Sequence, residues 1–295
     1  MNNKIIFLLL IFVIFFGCKE IPPVINFEKT NADLLDTTYI ISSVPDNVKT
    51  MVLIEDLTGV NCSNCPKAAD KIKTIKSQNQ GKVISIAEYP WSLSNLTAPW
   101  TGFDTLNSKE ADDIFINIYN NPPGIPTGGV NRKMYNGETA LWVSYFNWAG
   151  YADLVKNEDS KCIISTEVIN KDTILCTAKV KVKVIFTQQY DKQLNLTVYL
   201  TENNIISKQH MPDGTKNDNY IHSHALRKAI TPYNGVPLKI NIITNNYEKG
   251  RVFEKEFELK LHAKWKMRNC EVISLVNRFD SDSKEILQAD ELTLD

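Results

Sequence analysis

Met51-Val-Leu-Ile-Glu-Asp-Leu57 reads as a buried strand, Thr58-Gly-Val-Asn61 as a short loop, and Cys62-Ser63-Asn64-Cys65-Pro66 as the start of a helix. Ala68, Ala69, Ile72 and Ile75 recur at helical spacing, Gln80-Gly81 closes the helix, and Lys82-Val-Ile-Ser-Ile-Ala-Glu88 reads as a second strand. A strand–helix–strand order of this length implies a parallel pair joined by a right-handed crossover. It also sets two cysteines in a helix's first turn, where free backbone N–H groups and the helix dipole favour a thiolate. Cysteines three positions apart there can reach disulfide geometry. The pair is the strongest chemical signal in the 295 residues.

The N-terminus reads as a leader. Lys4 precedes the apolar run Ile5–Phe16, too short to span a bilayer comfortably, and Gly17-Cys18 follows. Phe15-Phe16-Gly17-Cys18 resembles the lipobox of bacterial lipoproteins, which implies cleavage after Gly17 and acylation of Cys18. At about 0.8 kcal/mol per buried CH₂, two or three acyl chains anchor a protein firmly. The alternative is an ordinary secretory signal with an incidental cysteine. Either reading places the mature chain outside the cytoplasm, where disulfides persist. Setting aside Cys18, Cys62 and Cys65 leaves Cys162, Cys176 and Cys270, an odd number, so at least one lacks a partner within the chain.

Net charge is −1, with 23% charged and 43% hydrophobic residues, which suits a globular protein and gives no basic face for nucleic acid. The expected organisation is a signal peptide over 1–17, a tether over 18–48 with one short strand near 38–42, an α/β domain over 49–158, and an all-β sandwich over 159–295. In the α/β domain, helices are expected over 107–119 and 138–156. From about 161 onward, seven strand-like runs (161–169, 173–186, 192–201, 220–230, 236–244, 251–261 and 269–278) occur without intervening helices. That pattern argues for an immunoglobulin-like sandwich.

The dithiol segment, taken with Gly124-Ile125-Pro126-Thr127-Gly-Gly-Val130, resembles the thioredoxin fold. In that fold a cis-proline precedes a strand and packs beside the two cysteines. The resemblance implies this role for Pro126, with Pro122 and Pro123 as competitors, and implies that the backbone of Ile125 pairs with an extended substrate. Asp56 lies six residues before Cys62, the spacing of the buried acid that assists proton transfer at the second cysteine. The competing reading turns Glu55 inward and Asp56 to solvent. Asn61 and Ser63-Asn64 depart from thioredoxin's usual tryptophan and Gly-Pro, and the segment from Cys65 to Pro126 is longer.

The lipobox, Thr58-Gly-Val-Asn-Cys-Ser-Asn-Cys-Pro66, Pro126-Thr-Gly-Gly-Val-Asn-Arg132 and the softer matches Tyr220–Arg227 and Val276–Arg278 also resemble the outer-membrane-protein-28-related lipoproteins, over roughly residues 50–295. The resemblance implies an outer-membrane, lipid-anchored protein. Two functions are compatible with it. In one, Cys62 attacks and Cys65 resolves in thiol–disulfide exchange with extracytoplasmic proteins. In the other, the pair is a structural disulfide in a surface-binding or adhesion lipoprotein. No cofactor is implied. His222 and His224 are expected on one face of a strand, near His210 in sequence, but no further ligands complete a metal set.

Overall fold

The computed structural model describes residues 34–239, 241 and 243–295. The expected signal peptide, Cys18 and most of the expected tether lie outside the described residues. The strand–helix–strand segment folds as β2 (Val52–Leu57), α1 (Cys65–Gln78) and β3 (Val83–Glu88), with β2 and β3 parallel. Helix α1 buries Ala68, Ile72 and Ile75 against Val52, Ile54 and Val83. Each large aliphatic side chain buried this way contributes about 1.5–3 kcal/mol.

Helix α2 (Lys109–Asn117) starts where Ser108 caps it by accepting a hydrogen bond from the Ala111 N–H. It covers the opposite face of the sheet through Ala111, Ile114 and Phe115. Strand β4 (Thr127–Val130) then runs antiparallel to β2. A Cβ at Gly128 would lie 1.8 Å from the Glu55 carbonyl oxygen, so only glycine allows β4 to approach this closely. The helix expected over 138–156 is confined to α3 (Trp148–Val155). Val143 instead pairs with Gly128 in extended conformation, an edge contact that helical periodicity in 138–147 does not reveal.

The second half is antiparallel and more finely divided than expected. Its strands are β5 (Cys162–Asp172), β6 (Thr177–Phe186), β7 (Asn195–Glu202), β8 (Ile205–His210), β9 (Lys216–His222), β10 (Ala225–Ala229), β11 (Val236–Pro237), β12 (Arg251–Lys260), β13 (Cys270–Asn277) and β14 (Ile286–Thr293). In β6, Ala178, Val180, Val182, Val184 and Phe186 point into the core, while Lys179, Lys181 and Lys183 point out. Those lysines pair across the sheet with Glu256, Glu167 and Glu254.

Strand β1 (Asp36–Ile40) is the short strand expected near 38–42, and it pairs with β12 in the sheet of order β1-β12-β6-β5. The other large sheet has the order β14-β13-β7-β10-β3-β2-β4 and runs across residues 158/159, where the sequence suggests a domain boundary. The join is the single parallel pair Ala225–Ala87. Strands β7 and β13 are buried along their whole length because the four-stranded sheet covers one face and the α2 cluster the other. No helix among the described residues is long and apolar enough to cross a membrane.

Candidate functional site

Cys62 and Cys65 form a disulfide with a Cα–Cα distance of 5.4 Å. Cys65 is the first residue of α1, Asn64 is its N-cap without a side-chain cap bond, Pro66 occupies the first turn, and no acidic side chain lies there. The positive end of the helix therefore faces the sulfurs uncompensated. Both cysteines are buried, at 5% and 2% exposure.

The loop before β4 reaches Cys62 directly. The Ile125–Pro126 peptide is cis, and the Cys62 Sγ lies 3.7 Å from the Ile125 carbonyl oxygen. Ile125 and Pro126 are half-buried, whereas Pro123 is exposed. The dithiol loop is held from another side by residues 93–98: the Asn61 N–H donates to the Leu96 carbonyl at 2.8 Å, and Asn61 Nδ2 donates to Ala98.

Asp56 and Glu55 are both buried, on opposite faces of β2, so the reading that turned one of them to solvent is corrected. Glu55 accepts hydrogen bonds from Tyr119 Oη at 2.6 Å and from Arg132 Nε at 2.8 Å, and forms an ion pair with Arg132 Nη2. Arg132 also reaches Tyr199 Oη, tying the turn after β4 to β7. Asp56 has no such partner. It is 2% exposed, its Oδ1 has no hydrogen-bond partner among the described residues, and burial pushes its carboxyl up to about 8. It lines a cavity of about 120 Å³ that is also lined by Cys65, Ser85, Tyr220 and His222.

The wall of that cavity opposite α1 is the β8–β9 hairpin, which sequence reading missed. Gln209 Nε2 donates to the carbonyl oxygens of Gly59 (3.2 Å) and Cys62 (3.0 Å), and the His210 N–H donates to the Val60 carbonyl. Trp100 lies beneath Lys208 and Lys216, clasping the hairpin to the 91–106 loop. The only local signal was the alternation Ile205, Ser207, Gln209, whose buried face carries two polar residues and so does not read as a core strand.

His222 and His224 do not share a face. His222 ends β9 with Nδ1 3.0 Å from Tyr89 Oη, and burial pushes its imidazole down to about 4. His224 has φ of 55°, which turns the chain between β9 and β10 and sends its ring toward Lys76 and Glu271. The ligand atoms of His224, Glu271 and Glu291 lie within 4.8 Å of one another, and the Lys76 ammonium, 3.2 Å from His224 Nε2, supplies positive charge there. His210 is directed instead at the Asn61 carbonyl. Cys162, Cys176 and Cys270 are free thiols, and burial pushes Cys162 and Cys270 up to about 12.

Residues 112–293, more than half of the chain, match the family of outer membrane protein Omp28. The chain belongs to the Omp28 family. The matched span includes Ile125, Pro126 and the β8–β9 hairpin and begins after Cys62 and Cys65, so it is shorter than the 50–295 expected from the motifs. HBP35 of Porphyromonas gingivalis has a similar fold at 18% identity and a TM-score of 0.65, over 84% of this chain and 76% of that one. A structural-genomics protein of Agrobacterium tumefaciens is similar at 13% identity and a TM-score of 0.52, over 84% and 96% of the two chains. No curated protein matches this chain.

Proposed function

We propose that this Omp28-family protein is an outer-membrane lipoprotein, anchored through acylated Cys18, whose residues 49–158 form a thioredoxin-like module that exchanges thiols and disulfides with extracytoplasmic proteins. The observation that carries this reading is Asp56: buried, unpartnered among the described residues, and lining the same cavity as Cys65. A structural disulfide gains nothing from an unpaired ionisable group beside it, and such a group lowers stability. Buried carboxyls with strongly raised pKa values concentrate at functional sites.

The exchange begins when an extracytoplasmic dithiol reduces the Cys62–Cys65 disulfide and is itself oxidised to a disulfide. The Cys62 thiolate then attacks a partner disulfide to form a Cys62–partner bond and release one partner thiolate. The Cys65 sulfur then attacks the Cys62 sulfur, its proton passing to the Asp56 carboxylate. The Cys62–Cys65 bond forms, the Cys62–partner bond breaks, and the second partner sulfur leaves as thiolate. Ile125 offers its backbone beside Cys62 for an extended substrate, with Pro126 shaping that surface. The C-terminal β-rich part, residues 159–295, supplies the hairpin that walls the site.

The burial of both cysteines favours a second reading, in which Cys62–Cys65 is a structural disulfide in a surface-binding or adhesion lipoprotein. Trapping separates the two. A Cys65→Ser variant of the exchange protein accumulates mixed disulfides through Cys62, and Cys62→Ser does not. If no adduct accumulates with Cys65→Ser in folded protein, the exchange reading fails and the binding reading stands.

A further inference from the structure

We infer that the outer half of the β8–β9 hairpin, residues 208–218, is a lid clasped over the dithiol loop, and that its release admits a partner to Cys62. The hairpin belongs to neither large sheet, since β8 and β9 pair with each other alone. Among the described residues, one backbone hydrogen bond joins residues 205–222 to the rest of the chain, from the His210 N–H to the Val60 carbonyl at 2.9 Å. The two ends are held differently. At the base, Ile205 and His222 face each other and are buried, and Ile205 packs with Val60, Tyr89 and Ala225. His222 Nδ1 lies 3.0 Å from Tyr89 Oη, and the His224 N–H donates to Asn203 Oδ1 at 2.7 Å. Between Ser207 and Gln209 the register slips, and beyond that point Gln209 is the one buried side chain. A bulge leaves a residue unpaired and bends its strand, which makes it a flexure.

The outer half grips four consecutive carbonyls of the dithiol loop. Gln209 Nε2 donates to those of Gly59 and Cys62, the His210 N–H to that of Val60, and His210 Nδ1 lies 3.3 Å from that of Asn61. The Lys208 and Lys216 ammonium groups sit 5.5 and 4.5 Å from the centre of the Trp100 ring. Water takes over polar contacts of this kind at little net cost, so the clasp holds the tip in place without fixing it there. A segment with few buried apolar contacts opens locally at lower free energy than the core.

Something must move for exchange to occur. Cys62 and Cys65 are 5% and 2% exposed, and exchange requires access of an incoming sulfur to the bond. The other walls around Cys62 are continuous with packed structure. Ile125, whose carbonyl oxygen lies 3.7 Å from the Cys62 Sγ, packs against the α2 cluster and leads directly into β4. The Leu96 carbonyl that accepts from the Asn61 N–H belongs to a segment pinned by Thr97, which is fully buried and donates to Pro90. The hairpin tip is instead anchored through its base and clasped by polar groups, which makes it the wall that yields.

The use of the lid in exchange rests on the proposed redox function; its opening does not. The test is native-state hydrogen exchange of the full chain, with Cys62 alkylation alongside it. The His210 N–H is expected to exchange at least about 100-fold faster than the amides of β7, with little dependence on low urea, the mark of a local opening. In folded Cys65→Ser, alkylation of Cys62 by iodoacetamide, read by mass spectrometry of its peptide, is expected to pass through the same opening. Adding Gln209→Leu, which removes two of the clasping hydrogen bonds, is then expected to speed both His210 exchange and Cys62 alkylation by a similar factor, roughly tenfold. Exchange at His210 as slow as in β7 overturns the proposal, as does no change in either rate with Gln209→Leu. Should Gln209→Leu fail to fold, Lys208→Ala/Lys216→Ala, which strips the contacts to Trp100 from the outside, is read in the same way. These measurements use no protein partner, so a failure to trap mixed disulfides and a failure of the lid are separate results.

Discussion

Replacing Asp56 by asparagine removes one ionisation and little volume, and the structure sets what that does to stability. The carboxyl moves from 3.8 in the unfolded chain to about 8 in the fold, pushed up by burial. A raised folded value means that the folded protein holds a proton the unfolded chain releases. The contribution is fully present below the unfolded value and is lost as pH rises from about 4 to about 8. Each pH unit in that window costs about 1.4 kcal/mol, so by pH 7 the wild type has given up roughly 4 kcal/mol that Asp56→Asn keeps. Urea unfolding of both proteins, followed by tryptophan fluorescence across this range, gives the difference directly, and other titrating groups cancel in it. The stability gain of Asp56→Asn is expected to be near zero at about pH 4, to grow to roughly 4 kcal/mol at pH 7, and to level off above about pH 8. A difference that stays flat with pH would show Asp56 to be an ordinary carboxylate and would refute the reasoning. The same variant is expected to slow resolution of mixed disulfides, the usual exchange of function for stability at such sites.

Three further outcomes follow from named contacts. Arg132→Met leaves the Glu55 carboxylate buried without its ion-pair partner and is expected to cost about 3–5 kcal/mol, while pairing it with Glu55→Gln recovers part of that loss; a single-variant cost below about 1 kcal/mol in urea unfolding would contradict the buried pair. Gln209→Leu removes the donor held by the Gly59 and Cys62 carbonyls, so reduction of Cys62–Cys65 by dithiothreitol is expected to speed up several-fold, and an unchanged rate would show that the hairpin does not restrain the dithiol loop. Among Cys162, Cys176 and Cys270, an aromatic disulfide reagent is expected to label only half-buried Cys176 in the native protein at pH 8, because the other two thiols are held protonated by burial; labelling of either at a comparable rate would contradict this.

The strand–helix–strand unit and the Cys62–Cys65 pair were legible because local signals agree there: an apolar run, a dithiol, Pro66 in the first helical turn, and helical spacing of Ala68, Ile72 and Ile75. Strand β6 was legible for the same reason, through its strict alternation of valine and lysine. What escaped was decided by long-range pairing. Residues 138–147 carry apolar side chains at near-helical intervals, yet the edge of β4 takes Val143 as an extended partner. Strand β1 was expected to within two residues, but its pairing with β12, more than 200 positions away, was not. The β8–β9 hairpin was missed because its buried face carries Ser207, Gln209 and His222, whose partners are backbone and side-chain groups of the distant dithiol loop and β3 end. The single-residue join of β10 to β3 has no sequence signature, so the continuity of the large sheet across residues 158/159 was invisible.

The central claim is that Cys62–Cys65 is used rather than merely kept. Equilibrating the folded full chain with glutathione or dithiothreitol redox buffers gives the reduction potential of the pair. Disulfide-exchanging proteins lie between about −270 and −120 mV, whereas structural disulfides of secreted proteins lie below about −300 mV. The account predicts a value inside the first range, and a value below about −300 mV would contradict it and leave the disulfide as a fixed link.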